Sequence, residues 1–247
     1  MVVFTDLDGT LLDRATYSYA PAEPAIAHLR VLKIPLVLVS SKTRAEMEAL
    51  RARMGITDPY IVENGAAVII PGARDLVLGG TSAAAREALR LAATASGVRV
   101  RGFGEMPLAE ICERTGLTPA VANLAVQREY GEPFVVLDGD VWELTAALHL
   151  LGFQVTQGGR FFHVLGGCDK AQAVSALTAI LEDTDTAGLG DAPNDIGFLR
   201  LMRQAVIIPS SHLAEMQEAL PRAMLAPEGG PAGWNLAVLA LLNPLHK

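Results

Sequence analysis

Residues Asp6-Leu7-Asp8-Gly9-Thr10 follow directly on a short apolar run, Val2-Val3-Phe4. On a strand, side chains two positions apart point the same way, so Asp6 and Asp8 would face each other's charge unless a cation sits between them. A carboxylate can attack a phosphoryl group and form an aspartyl-phosphate, splitting a hard hydrolysis into two displacements. A second carboxylate beside it can protonate the leaving alkoxide and then deprotonate the attacking water. Mg²⁺ takes oxygen ligands and commonly sits between one or two carboxylates and a substrate phosphate. Surface turns also produce Asp-x-Asp, so the reading depends on what else converges. Asp13, the third carboxylate of this stretch, has no part in such chemistry and is expected in a solvated loop.

Three further stretches carry compatible groups. Ser40 ends the apolar run "IPLVLVS", where its hydroxyl can donate to a phosphate oxygen or cap the next helix. Lys170 opens a helix in "GGCDKAQAV". The helix dipole disfavours a cation there, so an anion nearby would compensate, and the ammonium can bridge a nucleophilic carboxylate and the transferred phosphoryl group. In "GLGDAPNDIGFL", Asp191 follows a strand and a glycine, and Asn194 and Asp195 open the next helix. Asp191 and Asp195 can take a metal directly or through water, and Asn194 can hydrogen-bond the nucleophile or phosphate. Helix capping explains one such residue, but not three around one turn.

These groups need strands to deliver them. Residues 2–6, 34–40 and 60–69 read as strands, the last turning at Asn64-Gly65 into a hairpin, with helices over 21–32 and 43–55 between them. Gly55 closes the second helix. From 169 onward the alternation resumes: helix 169–182, a strand ending near Asp191, a helix from 193, a strand at 204–209, and helices at 211–220 and the end. Continuous apolar strands alternating with helices predict an α/β fold with a parallel sheet covered on both faces, and ligands bind such sheets at the carboxyl ends of the strands. The middle differs. Helices over 81–97 and 107–130 accompany strands at 99–104, 133–139, 153–159 and 160–166 separated by glycine turns, which predicts an α+β insert. The expected organisation is therefore a discontinuous core, 1–80 and 166–247, with a second domain at 81–165.

Composition sets limits. The chain has 247 residues, 51% of them hydrophobic, and a net charge of −7, so a large core is expected and a basic nucleic-acid surface is not. No apolar run approaches the roughly 18 residues of a membrane span. Cys112 and Cys168 follow no metal-ligand spacing, and no signal-like segment is read near the start. Together these point to a reduced, cytoplasmic protein acting on a small molecule, with no nucleic-acid or membrane partner; oligomeric state is not legible.

"DLDGT", Ser40, Lys170 and "GDAPND", in that order, resemble the four motifs of the haloacid dehalogenase (HAD) phosphatase superfamily. The resemblance implies a HAD-like Rossmannoid core, Asp6 as nucleophile and Asp8 as general acid/base. It implies Mg²⁺ held by Asp6, the Asp8 carbonyl and Asp191, and phosphate contacts from Ser40 and Lys170. The insert corresponds to the family's C2 type of cap. "SSKTRAEM" (40–47), "ENGAA" (63–67), "QREYGEPFV" (127–135), "GGRFFHVLG" (158–166) and "GGPAGWN" (229–235) are similar to the mannosyl-3-phosphoglycerate phosphatases. That substrate carries a phosphate, a carboxylate and a sugar. Arg128 and Arg160 could clamp the carboxylate with paired donors, and Glu129 and Gln157 could meet sugar hydroxyls. Asn64, Lys42 and Thr43 would lie near the expected cleft, and His163 reads as a packed residue of the cap sheet. The product would be mannosylglycerate, a compatible solute. A broader hexose-phosphate, sucrose-phosphate or phosphoglycolate phosphatase, or a phosphomannomutase, would use the same scaffold. A non-catalytic metal- or sugar-phosphate-binding module would be favoured by loss of Asp6 or Asp8, and both are present; a nucleotide-sugar glycosyltransferase would leave Lys170 and "GDAPND" without work.

Overall fold

The computed structural model describes residues 1–158 and 161–243. The first apolar run forms β1 (Val2–Thr5), with all four residues buried. A 3-10 turn, Ala20–Ala22, leads into α1 (Glu23–Val31), which has proline in its first turn, where no N–H is needed. After β2 (Leu36–Val39), also wholly buried, comes α2 (Arg44–Met54). Thr43 and Glu46 form a reciprocal capping box at its start, and Gly55, at φ 64°, ends it.

β3 (Tyr60–Val62) passes through a 3-10 turn, Glu63–Gly65, into β4 (Ala67–Ile69). β4 pairs antiparallel with β5 (Leu76–Val77). The turn expected at Asn64-Gly65 thus exists and joins β3 to β4, its neighbour in the sheet order.

The middle of the chain carries α3 (Ser82–Ser96), β6 (Arg99–Gly102), α4 (Leu108–Thr115), α5 (Pro119–Ala125) and β7 (Glu132–Asp138). Next come α6 (Val141–Leu150), β8 (Gln154–Gly158) and β9 (Phe161–Leu165). α6 replaces the plain glycine turn that the sequence reading put between two strands. Asp140 caps it by accepting from the Trp142 N–H at 2.9 Å.

The last third is α7 (Lys170–Leu181), β10 (Thr186–Gly190), α8 (Ile196–Leu199), β11 (Gln204–Ile207), α9 (Leu213–Ala219), β12 (Met224–Leu225) and α10 (Gly230–Leu242). The helix expected from 193 is a 3-10 turn, Pro193–Asp195, followed by the four residues of α8.

Two compact units divide the chain. One comprises Met1–Ser40, Asp58–Ile61 and the chain from Lys170; the other comprises Ser41–Thr57 and Val62–Asp169. In the first, strands run in the order β12-β11-β10-β1-β2-β3, and each described pair is parallel. The chain builds outward from β1 through β2 to β3, then returns to β1's other side to add β10, β11 and β12. The β1/β10 boundary is therefore a topological switch point, where α/β sheets bind ligands. Val3, Phe4, Val37, Leu38, Ala187, Leu189 and Trp234 are fully buried. The expected parallel α/β core is what forms.

The second unit contains an antiparallel sheet in the order β6-β7-β9-β8. Ala85 and Leu89 of α3 and Leu144 and Leu148 of α6 pack with Phe134 and Val164 of that sheet. A second cluster joins Phe103, Ile111, Ala122 and Phe161, with the Phe103 and Phe161 rings edge to face at 4.9 Å. Among the described residues, no helix is long and apolar enough to cross a membrane.

Candidate active site

The β1–β10 register, Thr5 beside Leu189, delivers Asp6 and Asp191 to adjacent strand ends, and the Asp6 N–H closes onto the Leu189 carbonyl at 2.9 Å. Behind Asp6, the Thr5 hydroxyl donates to the Asp6 carbonyl at 2.8 Å and accepts from Trp234 Nε1 at 2.9 Å. This buried relay fixes the end of β1 to α10. The chain then folds tightly, with the Thr10 and Leu12 N–H groups both donating to the Leu7 carbonyl. Gly9 has φ +96°, and a Cβ there would stand 2.7 Å from Asp191 Oδ2. A side chain at residue 9 would therefore be strained and would also collide with the site.

Lys170 is the hub. Its Nζ lies 2.6 Å from Asp6 Oδ1 and 2.7 Å from Asp195 Oδ1, and only 2% of the side chain is exposed. The other Asp195 oxygen accepts the N–H groups of Asp191 and Ala192, each at 3.1 Å. One carboxylate thus aims the lysine and also shapes the loop that carries Asp191. Gly190 allows this, since a Cβ there would meet Asp195 Cγ at 2.8 Å. Asp191 accepts from the Thr10 hydroxyl at 2.9 Å and from Arg14 Nη2 at 2.7 Å, and its carbonyl accepts from Ser210 Oγ at 2.6 Å.

Charge in this cluster is unbalanced. Burial, and then the neighbouring Asp195 charge, push Asp6 from 3.8 up to about 7, although Lys170 pulls the other way. Burial and the Asp6 charge raise Asp191 to about 6. Burial also raises Asp195 against the pull of Lys170. Burial opposes the Lys170 charge, but Asp195 and Asp6 outweigh it and hold the ammonium well above the usual lysine range. A direct ion pair and a raised Asp6 pKa are compatible, because one buried ammonium faces three buried carboxylates. Ligand oxygens of Asp6, Asp191 and Asp195 all lie within 4.8 Å of one another. The excess negative charge and the all-oxygen donor set fit a hard divalent cation, and the triad could hold one.

Asp6, Lys170, Asp191 and Asp195 are thus brought together. Ser40, buried, ends β2 with its N–H on the Ile61 carbonyl at 3.0 Å. Asp8 is half-buried in the loop after β1, bridged to Leu12, and Asn194 is half-buried in the 3-10 turn Pro193–Asp195. The other candidates belong to the second unit. Lys42 is half-buried and Asn64 is buried with φ 58°. Thr43 is buried, and its hydroxyl both caps α2 and donates to the Leu124 carbonyl at 2.9 Å. Arg128 donates to the Ser41 carbonyl at 2.7 Å, with a 3.4 Å contact to His163 Nδ1. Glu129 accepts from Arg44 Nε at 2.8 Å. Gln157 is exposed on β8. Arg160 lies outside the described residues. His163 is buried in β9. Asp13 is more than a solvated residue: it accepts from the N–H groups of Ala15 and Thr16 and from the Thr16 hydroxyl.

Sequence reasoning missed Thr10, Arg14, Ser210, Trp234 and Glu63. Thr10 stood inside the first motif and could have been read as a partner for a distant acid. The others become visible only through contacts far away in sequence.

Residues 3–88 match the family model described as haloacid dehalogenase-like hydrolase. The chain is 36% identical over its whole length, and 99% of the relative's, to the glucosyl-3-phosphoglycerate/mannosyl-3-phosphoglycerate phosphatase of Persephonella marina. This chain belongs to the haloacid dehalogenase-like hydrolases. An enzyme of the same description from Methanococcoides burtonii is 34% identical, with 98% of this chain and 97% of the relative covered. Among solved structures, a HAD subclass IIB sugar phosphatase shares the fold with a TM-score of 0.71 at 16% identity, over 98% of this chain and 97% of that one. So does a haloacid dehalogenase-like hydrolase from Bacteroides thetaiotaomicron, with a TM-score of 0.71, 16% identity and 98% of each chain covered. This HAD hydrolase is a phosphatase, and the carboxylate–lysine cluster at its switch point is the candidate for its chemistry.

Proposed function

We propose that this enzyme is a Mg²⁺-dependent phosphomonoester hydrolase that converts mannosyl-3-phosphoglycerate to mannosylglycerate through an aspartyl-phosphate on Asp6. One observation carries the reading: buried Lys170 lies between Asp6 and Asp195, with Asp191 alongside. That arrangement supports attack by Asp6, because Lys170 keeps the carboxylate in place and offers positive charge to the phosphoryl oxygens. Asp8 protonates the departing glycerate oxygen and then deprotonates the water that opens the acyl phosphate. Ser40 and Asn194 contribute hydrogen bonds to phosphate. Asp6, Asp191 and the Asp8 carbonyl would hold Mg²⁺, with Asp195 behind them, directly or through water. The ion supplies neutralisation of phosphate charge and orientation of the phosphoryl group.

Residues 81–165 act as the cap of a core formed by 1–80 and 166–247, and recognition of the non-phosphate part falls to Lys42, Thr43, Asn64, Arg128, Glu129, Gln157 and Arg160. The two relatives' names carry both glucosyl and mannosyl substrates, so the glucosyl compound is proposed as a second substrate. A compatible-solute product suits the cytoplasm, where we place the enzyme.

Phosphate release from mannosyl- and glucosyl-3-phosphoglycerate, beside hexose phosphates, sucrose phosphate and phosphoglycolate, tests the proposal, with and without Mg²⁺. The glycosyl-phosphoglycerates should be turned over most efficiently and only with the metal. Equal rates on simple sugar phosphates would count against the substrate; hexose-phosphate isomerisation without phosphate release would replace hydrolase by mutase.

A further inference from the structure

Glu63 has φ 46° and the following Asn64 φ 58°. The left-handed region is uncommon for residues with a Cβ, and asparagine enters it more readily than glutamate. Backbone strain at such a residue persists only where surrounding structure enforces it, and points to a function. At Glu63 the gain is visible. Its side chain is buried and takes three successive backbone N–H groups: Glu129 on Oε1 at 2.8 Å, Tyr130 on Oε2 at 3.2 Å and Gly131 on Oε2 at 2.8 Å. Hydrogen bonds to an ionised acceptor are roughly twice as strong as neutral ones.

Other bonds lead to the same segment. The Glu63 N–H donates to the Lys42 carbonyl at 3.0 Å, Arg128 Nη1 to the Ser41 carbonyl at 2.7 Å, and Arg44 Nε to Glu129 at 2.8 Å. The Arg44–Glu129 pair is substantially exposed and contributes little by itself. Residues 41–44, 63–64 and 128–131 form one hydrogen-bonded assembly inside the second unit. Its buried charged member is Glu63.

We infer that Glu63 is a positioning residue for substrate selection: its carboxylate fixes the backbone of residues 129–131 and so aims the adjoining Arg128. The inference rests on the reading above that Arg128 recognises the non-phosphate part of the substrate. Glu63 itself need touch nothing that reacts. No mechanistic step uses it, and its charge is committed entirely to the neighbouring backbone.

The test compares Glu63→Gln with the unaltered Mg²⁺-loaded enzyme on mannosyl-3-phosphoglycerate and on p-nitrophenyl phosphate, which lacks a glyceryl carboxylate and a sugar. Glutamine turns one acceptor oxygen into a donor facing N–H groups. Misplaced recognition groups should lower kcat/KM for mannosyl-3-phosphoglycerate by roughly ten- to hundredfold, mainly through KM, while p-nitrophenyl phosphate hydrolysis stays near the unaltered level. Parallel losses on both substrates, or an unchanged ratio, overturn the inference. If the unaltered enzyme prefers another phosphoester, the substrate reading fails, and that ester replaces mannosyl-3-phosphoglycerate in the same comparison. An unaltered enzyme without any preference overturns the inference too. Should Glu63→Gln not fold, amide hydrogen exchange on the unaltered protein decides: slow exchange at Tyr130 and Gly131 is expected, and exchange as fast as in an open loop overturns it.

Discussion

At the scale of single residues, Asp6 and Lys170 make opposite predictions although they form one ion pair. Asp6→Asn removes the proposed nucleophile and one charge from an overcharged pocket. Turnover should fall by roughly 10³-fold or more, as when a nucleophile is removed from a catalytic group that acts as a unit, while the metal-free fold is unharmed. Lys170→Met removes the buried cation shared by Asp6 and Asp195 and leaves those two carboxylates uncompensated, while Asp191 keeps Arg14. Breaking a buried pair in this way costs about 3–5 kcal/mol, so this variant should lose activity and stability together. Steady-state phosphate release and thermal unfolding on both variants check the pair. An active Asp6→Asn would remove the nucleophile from the scheme.

At the scale of elements, the chemistry depends on three strand ends being held in register. β1 is fixed at its end by Trp234 of α10 through the Thr5 hydroxyl. Trp234→Phe keeps the ring's apolar contacts but removes the indole N–H, leaving Thr5 with one partner fewer. A buried hydrogen bond lost this way costs about 1–3 kcal/mol. The expected outcome is a lower Tm with kcat reduced and KM for Mg²⁺ raised; an unchanged Tm would mean that the relay does not hold the strand end. Gly9→Ala should act at the loop itself, because the new methyl would approach both Arg14 and Asp191, and activity should drop more than stability. These element-scale devices also mark what was legible in the sequence. β1 and β2 were readable because unbroken apolar runs mean two covered faces, β10 because it falls where strand and helix alternate ahead of Asp191, and α2 because its cap residues stand at both ends. α6 was missed because its exposed apolar residues, Trp142 and Leu150, blur the helical periodicity and Gly139 and Gly152 look like turn signals. The helix after Asp191 came out short because Asp195 spends its side chain on the backbone of Asp191 and Ala192, which holds a 3-10 turn. Asp6, Lys170 and Asp191 could be picked out by type and strand-end position. Arg14, Ser210 and Trp234 act through contacts that no spacing encodes.

For the whole molecule, the buried acids couple folding to pH and to metal. Asp6 stands at about 7 and Asp191 at about 6, each against 3.8. Between those limits the folded state binds more protons than the unfolded one, so stability falls as pH rises. The penalty begins above 3.8 and is fully developed above about 7. The part that develops between pH 5 and pH 8 is roughly 4 kcal/mol, at about 1.4 kcal/mol per pKa unit. Lys170 is shifted upward, and its contribution is lost only far above this range. Asp13, Glu87 and Asp183 are lowered, so their contribution is lost on acidification, below the window. In EDTA, Tm should therefore decline by roughly ten degrees between pH 5 and pH 8, taking about 2–4 °C per kcal/mol for a chain of this size. Mg²⁺ binds the ionised carboxylates and must displace their protons, so its stabilisation should be small at pH 5 and large at pH 8, flattening the profile. Asp6→Asn should flatten the EDTA profile as well, because it deletes the carboxyl raised furthest from its ordinary value. Thermal unfolding at pH 5, 6.5 and 8, with EDTA and with Mg²⁺, separates the cases. A metal-free Tm that rises with pH would mean that the cluster is already neutralised by the protein's own cations, and that the excess negative charge assigned to it is absent.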